Sequence, residues 1–216
     1  MDADTIAARC RYGYGKAATK LGRPCAVYRP IDPLSAAISQ AALIGNTIAA
    51  FDTVPTFSFQ NTTKFKNRIF YGLMDATLLQ VGDYLVCAGL TYFVATIDDI
   101  PAPMVVRCDR SLTVSRPGAQ TPGSGFYGGD LTASETPIIT SWPAALLPGT
   151  KGEKGDTNLP GDVRLPWVQV LMPVTVPQIL FADIMLDDLT SPYRYIVSQV
   201  VATPLGVEIT ATQVLV

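Results

Sequence analysis

The residues able to do chemistry are few, and their types exclude much. The chain of 216 residues contains no histidine, which removes Ser–His and Cys–His nucleophiles and histidine general-base catalysis. Four cysteines, Cys10, Cys25, Cys87 and Cys108, contain no CxxC pair, so a zinc site would have to gather all four thiolates. They are also too few and too scattered for a small disulfide scaffold. Cys87 and Cys108 fall in neighbouring strand-like segments and can approach each other, but two buried free thiols are the expectation. The acid pairs Asp98-Asp99 and Asp187-Asp188 have the composition of a cation or acid–base site, but no further ligands at calcium-loop spacing, so turn-forming aspartates are expected. Gly13-Tyr14-Gly15-Lys16-Ala17 glances at a phosphate loop. It has Cys10 where glycine is needed and Ala17 where Ser or Thr is needed, and no buried strand precedes it. The expectation is a protein that is not an enzyme, with no catalytic, metal or cofactor-binding residues.

Charge points the same way. Only 16% of residues are charged while 48% are apolar, a balance opposite to that of disordered chains. Glutamate occurs only at Glu135, Glu153 and Glu208, which excludes a long charged helix or coiled coil. Residues 1–30 carry six basic side chains against Asp2 and Asp4; residues 117–216 carry four against nine acids. These halves either meet complementary surfaces on partners, or each other across a subunit contact, or are ordinary solvated faces. So few charges on 216 residues predict that much apolar surface is buried between subunits.

The elements that would position these residues change character along the chain. Asp2 or Asp4 can cap a first helix that ends at Gly22-Arg23-Pro24, with Ile6, Cys10, Tyr14, Ala17 or Ala18, and Leu21 on its apolar face. Gly13 and Gly15 inside it call for a kink or a close neighbour. Residues 26–60 read as an extended arm or a short helix over 34–43 begun at Asp32-Pro33. From residue 65 the period becomes two. Strands are predicted at 66–71, 83–86, 91–95, 104–114 and from Leu165 to the end. Gly and Pro between them crowd residues 118–160, read as a linker or long loop, and the collagen-like Gly149–Thr157 run is too short for a triple helix. No secretory leader is evident, and Leu34–Phe51 is too polar for a membrane span, so a soluble, cytoplasmic product is expected.

Two stretches repeat each other. Val81–Pro117 and Phe181–Val216 each run from an aspartate (Asp83, Asp183) into an apolar triplet, then a turn, an aromatic strand, a proline corner and an alternating strand. The predicted fold is therefore mainly β: two small antiparallel units, barrel or sandwich, related by internal duplication, behind an N-terminal helix and extended arm. The division is 1–60 helix and docking arm, 61–117 first unit, 118–160 linker, 161–216 second unit.

Several segments resemble a family of structural proteins of contractile-tailed bacteriophages. They are Tyr14-Gly15-Lys16-Ala17-Ala18 with Tyr28-Arg29-Pro30, Val81–Val86 with Tyr92–Ala95, Val106–Pro117, and Leu165-Pro166-Trp167 with Asp183-Ile184 and Tyr195–Val197. The resemblance implies a virion protein, made in the host cytoplasm: a neck, collar or head–tail connector subunit in a homo-oligomeric ring. Such a ring would touch portal or adaptor and tail-tube or sheath-terminating proteins, near genomic DNA and away from membranes. The expected interface residues are Arg9, Arg11, Tyr12, Tyr14, Lys16, Lys20, Tyr28 and Arg29. Alternatives are a tail or baseplate component, or a carbohydrate-binding β protein using Tyr127, Trp142 or Trp167.

Overall fold

A computed structural model describes residues 2–52, 68–98, 101–118, 135–149 and 166–214. Helix α1 (Ala3–Leu21) begins where Asp2 accepts the Thr5 N–H at 2.9 Å and ends where the Gly22 N–H reaches the Ala18 carbonyl at 2.7 Å. Gly22 is required by proximity, because a Cβ there would lie 2.8 Å from the Ala49 carbonyl group. The helix packs on β2 and β3, but its inward face is Ala7, Cys10, Arg11, Tyr14 and Ala18, with Ile6 and Leu21 turned to solvent. Small residues bring the helix close to the sheet; Gly15 faces Asp75, whereas Gly13 meets nothing.

Twelve strands follow: β1 Arg23–Tyr28, β2 Leu43–Asp52, β3 Ile69–Met74, β4 Tyr84–Cys87, β5 Leu90–Thr96, β6 Met104–Cys108, β7 Arg110–Arg116, β8 Thr136–Pro148, β9 Trp167–Met172, β10 Ile184–Asp187, β11 Arg194–Thr203 and β12 Gly206–Gln213. They form two six-stranded antiparallel sheets, each closed into a barrel, in the orders β1-β2-β3-β6-β5-β4 and β7-β8-β9-β12-β11-β10. Closure pairs every edge, which suits a chain with so few charges to guard one.

The two orders are the same order, and the registers agree. Tyr28 faces Tyr84, which faces Phe93; Ser115 faces Ile184, which faces Ile196. Arg23 faces Ala49, which faces Met74. Arg110 faces Ala144 in the same way, and its neighbour Ala145 faces Leu171 as Ala50 faces Leu73. A bulge interrupts β5 between Val94 and Thr96, and β11 between Val197 and Gln199.

The mainly-β barrel reading with an N-terminal helix therefore holds, while the arm and unit boundaries differ from expectation. Residues 23–52 supply β1 and β2 rather than a docking arm, and 29–42 make turns, with Asp32 accepting the Leu34 N–H, rather than a helix. The predicted strand 104–114 breaks at Asp109, and its second half opens the second barrel. Strand β8 lies inside the expected linker.

One core fills barrel 1, with Val27, Met74, Leu85, Tyr92, Val94 and Val105. A larger core runs from the outer face of barrel 1 (Ile69, Tyr84, Phe93, Val106) into barrel 2 (Leu112, Ile139, Trp142, Leu171, Met185, Ile209). Each such buried side chain contributes about 1.5–3 kcal/mol, so the barrels are joined by apolar packing and not merely tethered.

Candidate functional site

Corresponding ends of the two barrels carry the same ion pair. Arg29 follows β1 and grips Asp83 before β4, with Nε to Oδ1 at 2.8 Å and Nη2 to Oδ2 at 2.7 Å. Arg116 closes β7 and grips Asp183 before β10, both contacts at 2.9 Å. In each, Nη2 also donates to a loop carbonyl at 3.0 Å, that of Leu78 or Gln178. Each carboxylate accepts a further backbone N–H, from Gln80 at 2.8 Å or Leu180 at 2.7 Å. Both aspartates are 1% exposed. The hydrogen bonds to these carboxylates raise the pKa of Arg29 and of Arg116, so each guanidinium keeps its charge. A buried carboxylate that accepts three hydrogen bonds, two of them from one guanidinium, is a fastener. It fixes the β3–β4 loop and the β9–β10 loop against their barrels.

What the clasps hold outward is apolar. The first loop presents Leu78 at 69% exposure and Val81 at 37%; the second presents Val174, Leu180 and Phe181, the last at 75%. Val81 and Phe181 stand at the same place, two residues before the buried aspartate. Between them and it lies a left-handed residue, Gly82 at φ +93° or Ala182 at φ +68°.

Where the barrels meet, a cleft of about 270 Å³ is lined by Arg29, Ile31, Val81, Gly82, Trp142 and Thr175 among others. Its wall is well fastened. The Tyr84 hydroxyl donates to the Pro143 carbonyl at 2.9 Å, the Trp142 Nε1–H to the Ser35 carbonyl at 3.1 Å, and the Thr140 N–H to the Pro33 carbonyl at 2.9 Å. A second groove, about 90 Å³, lies on barrel 1 between β2 and the first loop, bordered by Ile44, Thr47, Asp75 and Leu78.

The eight expected interface residues do not form one patch. Arg9, Tyr12, Lys16 and Lys20 are exposed on α1, with the Lys16 ammonium 5.2 Å from the Tyr12 ring centre. Arg11 and Tyr14 are half-buried on the helix's inward side, and burial raises the Tyr14 pKa. Tyr28 packs on the larger core, and Arg29 is the clasp. Trp142, a proposed sugar platform, is 2% exposed and cannot stack a ligand; Trp167 is half-buried, and Tyr127 lies outside the described residues.

The cysteine expectation needs correcting. Cys87 is bonded to Cys25, its direct neighbour across the β1–β4 pairing, while Cys10 and Cys108 are free. Burial pushes the Cys108 thiol up, so it is inert. Asp187 accepts the Leu189 and Tyr193 N–H groups as a turn aspartate, and Asp99 lies outside the described residues. Among the described residues no three potential metal ligands cluster, and no helix is long and apolar enough to cross a membrane.

Sequence reasoning named Arg29, Asp83 and Asp183 but not their pairing, and it missed the exposure of Leu78 and Phe181. The signal was present: Arg29-Pro30 and Arg116-Pro117 are matching dipeptides, each upstream of the aspartate it pairs with. Comparison with protein-family models, with curated proteins and with solved structures finds no match to this chain.

Proposed function

We propose that this chain is a non-enzymatic structural subunit that assembles with copies of itself. The observation that carries the reading is the set of large apolar side chains held outward by two rigid, clasped loops, Leu78, Val81, Val174, Leu180 and Phe181. Exposed residues of this kind occur singly on most surfaces. Their concentration on two fastened loops, in a chain with 16% charge, fits surface designed for burial. The repeated register supports an ancestral duplication, which would give one chain two copies of the same docking end.

Within that reading we place the subunit in a tailed-phage virion, as a ring-forming neck, collar or head–tail connector component. The placement rests on the segments that resemble such proteins, and portal or adaptor and tail-terminating proteins are the partners it implies. Mass spectrometry of purified virions, with labelled microscopy, tests it. The chain should be found in multiple copies at the head–tail junction. Label at the baseplate would move the subunit along the tail, and its absence from particles would reject a virion role.

A further inference from the structure

The contact between the two barrels supplies a template for the contact between two copies. Within the chain, Val81 and Gly82 on the first loop lie in the cleft beside Trp142 and Thr175 of barrel 2. The approach is close: a Cβ on Gly82 would lie 2.4 Å from Thr175 Cγ2. The shared register gives each member a counterpart. Phe181 and Ala182 correspond to Val81 and Gly82. Thr47, opposite Cys25, corresponds to Trp142, opposite Leu112. Thr175, three residues past the end of β9, corresponds to Thr77, three past the end of β3. On barrel 1 Thr47 borders the groove with Ile44, Asp75 and Leu78, the last two flanking Thr77 in the first loop. Among the described residues nothing covers Phe181, which stays exposed on the second loop.

We infer that Phe181 of one copy docks in the groove formed by Ile44, Thr47, Asp75 and Leu78 of the next, continuing between chains the relation that joins the barrels within one. The occupant of the groove is thus a second copy of this chain. Both sides have the required character: Phe181 is 75% exposed, Leu78 69% and Ile44 43%. Where the internal contact uses valine, the free end carries phenylalanine, the type of side chain that anchors interfaces. Because knob and groove are different surfaces, the contact is head-to-tail and generates a ring when its rotation closes. The inference rests on the assembly reading above and adds its address.

The test uses the full chain in two variants, Phe181→Asp and Leu78→Asp, both at exposed positions where folding is retained. Sedimentation velocity at micromolar concentration should show each variant alone as a monomer, its apparent Kd raised at least about thirtyfold. An equimolar mixture should form a one-to-one dimer and stop, since only one intact knob and one intact groove remain. That dimer also certifies that both variants are folded. A wild type that assembles while both variants assemble equally well overturns this contact and leaves assembly standing. A mixture that yields no dimer overturns it too. A wild type that is monomeric at every concentration overturns both readings.

Discussion

The two barrels share a backbone plan and differ in what fills and covers it. Barrel 1 closes β1 on β4 with the Cys25–Cys87 bond, where barrel 2 has Leu112 beside the turn acceptor Asp187. At the same end barrel 1 stacks Phe51 on Tyr92, with ring centres 4.3 Å apart. The corresponding Tyr195 instead sets its hydroxyl 3.4 Å from Asp187. Outside, Phe93 and Val106 of barrel 1 are fully buried on barrel 2, whereas their counterparts Ile196 and Thr212 are exposed and half-exposed. Register and clasp are set by backbone pairing and one ion pair, and so they recur. Side-chain identity follows what lies against each face, and so it diverges.

The disulfide is where the barrels should differ most. Its cysteines are 62 residues apart, and a closed loop of that length limits the unfolded chain by about 4 kcal/mol. The Cys25→Ala/Cys87→Ala double variant should lose about that much in urea unfolding. Hydrogen exchange should rise first in β1 and β4, with β7 and β10 retaining protection. Equal exchange in both barrels would break the distinction.

The clasps should behave alike. Asp83→Ala and Asp183→Ala each strand an arginine and free a backbone N–H. Each should cost about 3 kcal/mol, the low end for a broken buried pair because the guanidinium is partly solvated. A difference above about 1 kcal/mol, outside ordinary measurement error, would mean the two loops are not held equivalently.

The left-handed residues should give opposite signs. Ala182→Gly relieves a positive φ and should stabilise by up to about 1 kcal/mol. Gly82→Ala forces a methyl against Thr175 and should destabilise by at least about 1 kcal/mol. Thermal melts of the two variants would show whether Gly82 is kept for the barrel contact or for its φ alone.

The smallest effect is alkaline. Burial, with the Asp187 carboxylate adding to it, pushes Tyr195 from 10 up to about 12. A phenol that stays protonated in the folded state after the unfolded one ionises costs stability as pH rises. The loss should appear between pH 10 and about 12. Tyr195→Phe should flatten that fall more than Tyr92→Phe does, because Arg107 opposes the rise at Tyr92.

Much of the fold was legible because β-branched and aromatic runs stand between turn residues around Tyr84–Cys87, Leu90–Thr96 and Arg194–Thr203. Strands β1, β2 and β8 were not, for an identifiable reason. Arg23-Pro24 and Trp142-Pro143 put proline inside strands, and Gly45 with Asn46 weakens β propensity. Barrel closure supplied partners that local pattern cannot reveal. The break at Asp109 escaped notice because apolar alternation continues through it; its side chain accepts the Leu146 N–H and pairs with Arg68, both distant in sequence. The site was less legible than the fold. Basic residues on α1 drew attention by charge, while Phe181 and Leu78 look like core residues until the clasps turn their loops outward.

The clasped apolar surface is proposed to be covered by copies of the same chain. Sedimentation velocity of the wild-type protein over a hundredfold range of concentration tests it most directly. The expected result is a species that grows with concentration to a closed oligomer of fixed size. A single monomeric boundary at every concentration would contradict it.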